Sequence, residues 1–133
     1  METSSKILIG GAALRELGSV RHTDDLDYLV WMEDNFTPFH TGEGIDLINA
    51  NSTNFFESVY RKEEGNAIAT PQSLFDLKAF ALIEHMRNGN FNKVNDCRYD
   101  LNFLKINFGI NDIDTLKKYI TKAEHTEILS YLN

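Results

Sequence analysis

The sequence predicts an α+β fold, with a small mixed β-sheet flanked by helices in the first seventy residues and a helical portion after it. Short apolar runs bounded by turn residues recur at 6–9, 26–32 and 45–49, as buried strands do. At Thr70-Pro71 the pattern changes to helix signals, and beyond it apolar residues recur at helical spacing.

Lys6 to Ile9 reads as a first strand, which Gly10-Gly11 ends before a short helix over Ala12–Leu17 with Gly18 as its C-cap. A second strand over Leu26–Met32 is apolar on both faces except at Asp27. The stretch Asn35–Gly44, with Pro38, Gly42 and Gly44, reads as a loop, and Ile45–Asn49 is a third strand holding one carboxylate, Asp46. Ser52–Lys62 is predicted helical with Ser52 or Thr53 as its cap, and Asn66–Ala69 as a last short strand. Thr70 then caps a helix with Pro71 at its first position, running to about Arg87 before the break Asn88-Gly89-Asn90. Asn92–Asn107 is amphipathic, Asn111 is expected to cap a helix holding Ile113, Leu116, Tyr119 and Ile120, and Glu124–Leu132 closes the chain as a helix.

At 133 residues the chain fits one compact domain, with a sheet region at 1–70 and a helical portion at 71–133. A net charge of -7 argues against a broad grip on nucleic acid, which needs clustered Lys and Arg. The single cysteine, Cys97, cannot form an internal disulfide and reads as a buried thiol. The start METSSKILIGG lacks a basic leader with a long apolar stretch, and no run approaches the roughly 20 apolar residues of a membrane span. These features point to a soluble, cytoplasmic protein.

Asp25 and Asp27 lie two apart at the start of a strand and are expected on one face. Like charges so placed repel unless protons or a cation offset them, so the pair points to a divalent metal, with Asp46 as a third oxygen ligand. Three carboxylates suit Mg²⁺ bound together with substrate phosphates. Each acid also has a plain alternative: Asp25 as a turn residue, Asp27 at an exposed edge, Asp46 bonded locally. Gly10-Gly11 permits either a tight turn or close approach of main-chain N–H groups to phosphate. Lys78 shares a helical stripe with Leu74, Ala81 and His85. It either covers apolar surface with its stem or reaches phosphate as a charge clamp, with Arg21 as a second candidate. His22 and His85 lack metal-ligand spacing. Asp96 and Asp100 are expected to pair near Arg98, cap or face solvent, and the phenylalanines, Phe91 and Phe108 among them, to lie mostly in the core.

The stretch Ile9-Gly10-Gly11-Ala12-Ala13-Leu14, followed by Gly18, Arg21, Thr23 and Asp25-Leu26-Asp27, resembles the signature of the polymerase-beta-type nucleotidyltransferase superfamily. Within it the chain is most similar to the small AbiEii-like toxin nucleotidyltransferases. The likeness continues into Pro71-Gln72-Ser73-Leu74, Leu77-Lys78-Ala79-Phe80-Ala81 and Asn95-Asp96-Cys97-Arg98-Tyr99-Asp100-Leu101. Ala12 stands where many members have Ser, and Asn95 where Lys is usual, with Lys93 nearby. The resemblance implies a minimal nucleotidyltransferase fold in which Gly10 and Gly11 contact nucleotide phosphates and Asp25, Asp27 and Asp46 bind two Mg²⁺ ions. The implied reaction moves a nucleoside monophosphate from an NTP to an acceptor hydroxyl on an RNA or tRNA end, a protein or a small molecule. It also implies toxin–antitoxin or phage-defence biology with a cognate antitoxin or toxin partner. The alternatives are a catalytically silent module of the same fold that binds or inhibits a partner, and a helical scaffold with incidental carboxylates.

Overall fold

The computed structural model describes residues 6–133, so the leader reading at 1–5 lies outside the described residues. The chain divides into two compact units, Met1–Thr70 and Pro71–Asn133.

The first unit is built on a four-stranded mixed sheet: β1 (Ile7–Ile9), β2 (Leu26–Val30), β3 (Phe39–Gly42) and β4 (Ile45–Asn49), in the spatial order β1-β2-β4-β3. β1 runs antiparallel to β2, β2 parallel to β4, and β4 antiparallel to β3. Helix α1 (Gly10–Glu16) follows β1 directly and α2 (Asn54–Glu63) follows β4 after a 3₁₀ turn at Ala50–Ser52. Ile7, Ile9, Ala13, Leu14, Leu29, Phe55 and Val59 are buried in this unit's core.

Four boundaries differ from the sequence reading. The stretch expected as a loop over 35–44 contains β3, because Glu43-Gly44 forms a two-residue turn with Gly44 at φ +72° and folds β3 back on β4. β2 stops at Val30 because the main chain at Met32 bonds side chains instead: its N–H donates to Asn49 Oδ1 and its carbonyl accepts from Asn51 Nδ2. Gly10 and Gly11 form the first turn of α1 rather than a turn ahead of it. Asn66–Ala69 contributes one parallel bridge, Leu8 with Ile68, instead of a strand. Of the two cap candidates for α2, Thr53 is the cap, its Oγ1 accepting from Phe56 N–H at 3.0 Å, while Ser52 donates to the Asn49 carbonyl.

The second unit holds α3 (Pro71–Arg87), α4 (Phe91–Phe108), a 3₁₀ turn at Thr115–Tyr119 and α5 (Lys122–Ser130). Gly89, at φ +68°, makes the break between α3 and α4, and Gly109, at φ +70°, ends α4 by donating to the Lys105 carbonyl. α5 opens with a reciprocal cap in which Glu124 N–H donates to Thr121 Oγ1 and Thr121 N–H donates to Glu124 Oε1. Leu74, Phe75, Leu82, Leu101, Leu104, Ile113, Leu116 and Ile128 form the core, with Cys97 buried beside them. Phe91 and Phe108 are exposed, contrary to expectation, since they lie at the two ends of α4. Among the described residues no helix is long and apolar enough to cross a membrane.

The expected helix after Asn111 is only the 3₁₀ turn, and Asn111 does not cap it. That work falls to the buried Asp76 on α3, whose carboxylate accepts from the main-chain N–H groups of Asp114 and Leu116 and from Gln72 Nε2. Burial pushes the Asp76 carboxyl above the usual carboxylate range, and the hydrogen bonds from Leu116, Gln72 and Asp114 offset this only in part. The folded chain therefore keeps a proton that the unfolded chain has released. Stability falls as pH rises from about 4, the ordinary Asp value, through the raised pKa, and is level above it. We expect the melting temperature of wild type minus that of Asp76→Asn to fall across that window in a pH series and then flatten. Asp76→Ala, which strands buried N–H donors, should cost about 3 kcal/mol in urea unfolding.

Candidate functional site

Register assembles the site. Asp27 pairs with Ile9 on one side and Asp46 on the other, and Asp46 pairs with Thr41, so one row across the sheet reads Ile9, Asp27, Asp46, Thr41. The next row on the same face is Ile7, Leu29, Ile48, Phe39, of which Ile7 and Leu29 are fully buried. The two half-buried carboxylates thus sit on adjacent parallel strands, about 4.8 Å apart in backbone spacing, at the margin of an apolar face. Like charges directly opposite one another on a sheet repel, and a cation between them relieves the repulsion.

Gly10 is what lets Asp27 lie where it does. A Cβ built on Gly10 would stand 2.4 Å from Asp27 Oδ2, and the residue's φ of +71° also suits glycine. Gly11 has a comparable neighbour, since a Cβ there would meet the Thr23 side chain at 3.0 Å. Both glycines therefore have a reason within the fold: each leaves room for a side chain from the segment leading into and through the start of β2. Asp25 precedes β2 and is exposed, with Leu26 N–H donating to the Gly44 carbonyl at the strand's first position. Arg21, half-buried in the same segment, donates from its main-chain N–H to Ser19 Oγ, and His22 pairs with Asp24 at the surface.

The register brings Asp27 and Asp46 together and leaves Asp25 outside their row. Among the described residues no group of three or more His, Cys, Asp or Glu side chains is gathered to hold a metal ion. The expected set of three carboxylates is therefore not preassembled. The pair still matches the chemistry of Mg²⁺, which takes one or two carboxylates and completes its shell with waters and substrate phosphates.

Lys78 lies in the second unit, and its Nζ is 2.9 Å from Asp100 Oδ2, a carboxylate 1% exposed. Asp100 is thus buried against a lysine rather than facing solvent or pairing near Arg98, whereas Asp96 is exposed. The ammonium neither rests in solvent nor stands unmatched, because its charge is met inside its own unit.

Charge is divided unevenly along the chain. The first unit has 12 Asp and Glu against 5 Lys and Arg, while the second has 8 of each. From His22 to Tyr60, a stretch holding β2, β3 and β4, there are eight acids and no Lys or Arg. Two of the first unit's cations lie over aromatic rings: Lys6 over Tyr28, and Arg61 over Trp31 at 4.5 Å.

No family model, curated protein or solved structure matches this chain.

The sequence does not name Thr41, and it names Thr23 and Asp100 without the contacts they make. Thr41 lies in a stretch whose composition predicts a loop, although the Gly42-Glu43-Gly44 run before an apolar strand is a hairpin signal. Thr23 carries no local pattern that announces contact with Gly11. Asp100 could have been matched to Lys78 only by pairing two helices.

Three substitutions test these arrangements. Gly10→Ala should destabilise the chain by about 2 kcal/mol through positive-φ strain and displacement of Asp27. Gly11→Ala, where a tight contact is set against a helix-propensity gain of about 1 kcal/mol, should stay within about 1 kcal/mol of wild type in denaturant titrations. Lys78→Met should cost about 3 kcal/mol because it strands the buried Asp100 charge, and the double variant Lys78→Met/Asp100→Leu should recover part of that loss.

Proposed function

We propose that the first unit carries a metal-dependent nucleotidyltransferase centre that moves a nucleoside monophosphate from an NTP to an acceptor hydroxyl. The observation that carries this reading is the register pair of Asp27 and Asp46, with Gly10 packed against the Asp27 carboxylate. The sequence likeness around Gly10-Gly11 and Asp25-Leu26-Asp27 supports it.

Asp27 and Asp46 would hold Mg²⁺, with Asp25 at the approach to the pair. Bound there, the ion neutralises phosphate charge and stabilises the displacement at phosphorus. The acceptor oxygen bonds to the α-phosphorus as the bond to pyrophosphate breaks, and a carboxylate oxygen of Asp46 takes the hydroxyl proton. Gly10, Gly11 and Arg21 would contact the phosphates, as the sequence likeness implies. Lys78 is held by Asp100 and is not needed for it.

The charge distribution makes one demand of this mechanism. A triphosphate approaching a stretch with eight acids and no Lys or Arg is repelled unless a divalent cation accompanies it. Nucleotide binding should therefore depend strictly on Mg²⁺. The same acidity favours a protein or small molecule over RNA as acceptor.

In a thermal-shift panel of the four NTPs, at least one should raise the melting temperature only when Mg²⁺ is present. At a hundredfold excess over Kd the stabilisation is about 2.7 kcal/mol. Asp27→Asn and Asp46→Asn should abolish the rise, while Asp25→Asn, outside the register pair, should only reduce it. A flat response to all four NTPs would overturn the enzyme reading and leave the silent partner-binding module.

A further inference from the structure

We propose that the outer edge of β3 is a docking strand for an extended peptide segment that alternates apolar and basic side chains on one face. This inference does not require the nucleotide chemistry, but it shares Asp46 with the proposed metal site.

The sheet has two edges of different character. β1's edge is occupied by the chain itself: Leu8 N–H donates to the Ala67 carbonyl, and Ala69 N–H donates to the Leu8 carbonyl. β3 is the other edge, and among the described residues no strand lies beyond it. Phe39, His40, Thr41 and Gly42 are all exposed.

The phase of the ladder fixes which main-chain groups face outward. Asn49 N–H donates to the Pro38 carbonyl at 2.9 Å, in register with the four pairs from Phe39–Ile48 to Gly42–Ile45. Alternate residues of an antiparallel pair bond inward, so His40 and Gly42 face β4 and the N–H and carbonyl groups of Phe39 and Thr41 point to the open side. Edge strands are usually protected by lysine, proline or a bulge. β3 has no lysine, its four pairs are unbroken, and its one neighbouring proline, Pro38, precedes it. Its one apolar side chain, Phe39, is uncovered at 57% exposure, and Phe36, ahead of the strand, is 81% exposed.

Charge selects the occupant. Glu33, Asp34, Glu43 and Asp46 surround the strand in sequence or register, within the stretch from His22 to Tyr60 that lacks Lys and Arg. A second copy would bring the same negative charge to the contact. A peptide bearing Lys or Arg is instead drawn to it. An added strand continues the rows of the sheet, so one of its side chains lies beside Phe39 and the next on that face lies beside Thr41. An apolar residue suits the first place. In the second, the long stem of Lys or Arg can cross Thr41 toward the Asp46 carboxylate.

The probe is the labelled octapeptide Thr-Val-Thr-Lys-Thr-Val-Thr-Lys, with a control in which Glu replaces both Lys, titrated against the full chain by fluorescence polarisation at low salt. The Lys peptide should bind in the micromolar range, the Glu peptide at least tenfold more weakly, and amide resonances of Phe39 and Thr41 should shift on binding. Thr41→Pro removes an outward N–H without touching the β3–β4 ladder, so it should keep the melting temperature within a few degrees and weaken the Lys peptide at least tenfold. Phe39→Ser should weaken it as well while leaving the ladder intact. Equal binding by wild type and folded Thr41→Pro overturns the proposal, as does equal binding of the two peptides or no binding at millimolar concentration. A dimer in light scattering that Thr41→Pro dissolves would make a second copy the occupant and overturn the basic-peptide assignment.

Discussion

The parallel pairing of β2 with β4 is the constraint on which the first unit depends. The chain leaves β2, returns as β3, and only then threads β4 between the two, so the register between β2 and β4 is not set by a short turn. It is set from the far end, by Asn49 and Asn51. Asn49, fully buried, accepts from Met32 and Asn51 N–H groups and donates to the Asp34 and Thr37 carbonyls. Asn51 Nδ2 reaches the carbonyls of Met32, Glu33 and Asp34. A one-residue slip would break this set together and turn Asp46 to the opposite face from Asp27. The acidic pair is therefore held in place by amide side chains that take no part in its chemistry.

The position of that pair explains how two carboxylates survive on a sheet face whose neighbouring row is apolar. Ile7 and Leu29 exclude water from one side, while the exposed Thr41 leaves the row open at β3. The first unit is also where the chain's excess of acid resides, which argues against a phosphate site made by lysines and for one that imports its positive charge with a cation. In the second unit, by contrast, charge is used internally. Lys78 with Asp100 and Asp76 with the start of the 3₁₀ turn are buried, matched arrangements that join elements distant in sequence. Among the described residues no buried side-chain polar atom lacks a partner.

Much of this architecture was readable from the chain because local signals agreed with the fold. Pro71 at the start of α3, Gly89 at its end and the apolar runs of β1, β2 and β4 each name their own structure. What could not be read was non-local. β3 is four exposed residues with no apolar periodicity, and apart from the Gly42-Glu43-Gly44 turn signal it exists because β4 offers it an edge, so its own composition reads as loop. The turn after Asn111 is stabilised by Asp76, thirty-eight residues before Asp114, and no window of sequence contains both. The same limit applies to the candidate site. The acids Asp27 and Asp46 were visible as interruptions of apolar strands, yet that they, and not Asp25, share a row follows only from the strand pairing.

The glycine pair shows how one motif can answer two demands. At Gly10 the space a side chain would fill is already taken by the Asp27 carboxylate, and at Gly11 by Thr23. A glycine kept only for a tight turn would tolerate bulk beyond the backbone; Gly10 does not, because the group pressed against it is one half of the acidic pair. The main chain at the start of α1 is thus brought against the carboxylate that the sheet register places beside Asp46. Sterics at Gly10 and register at Asp46 act on the same side chain from two directions, and together they leave Asp27 little freedom to be anywhere else.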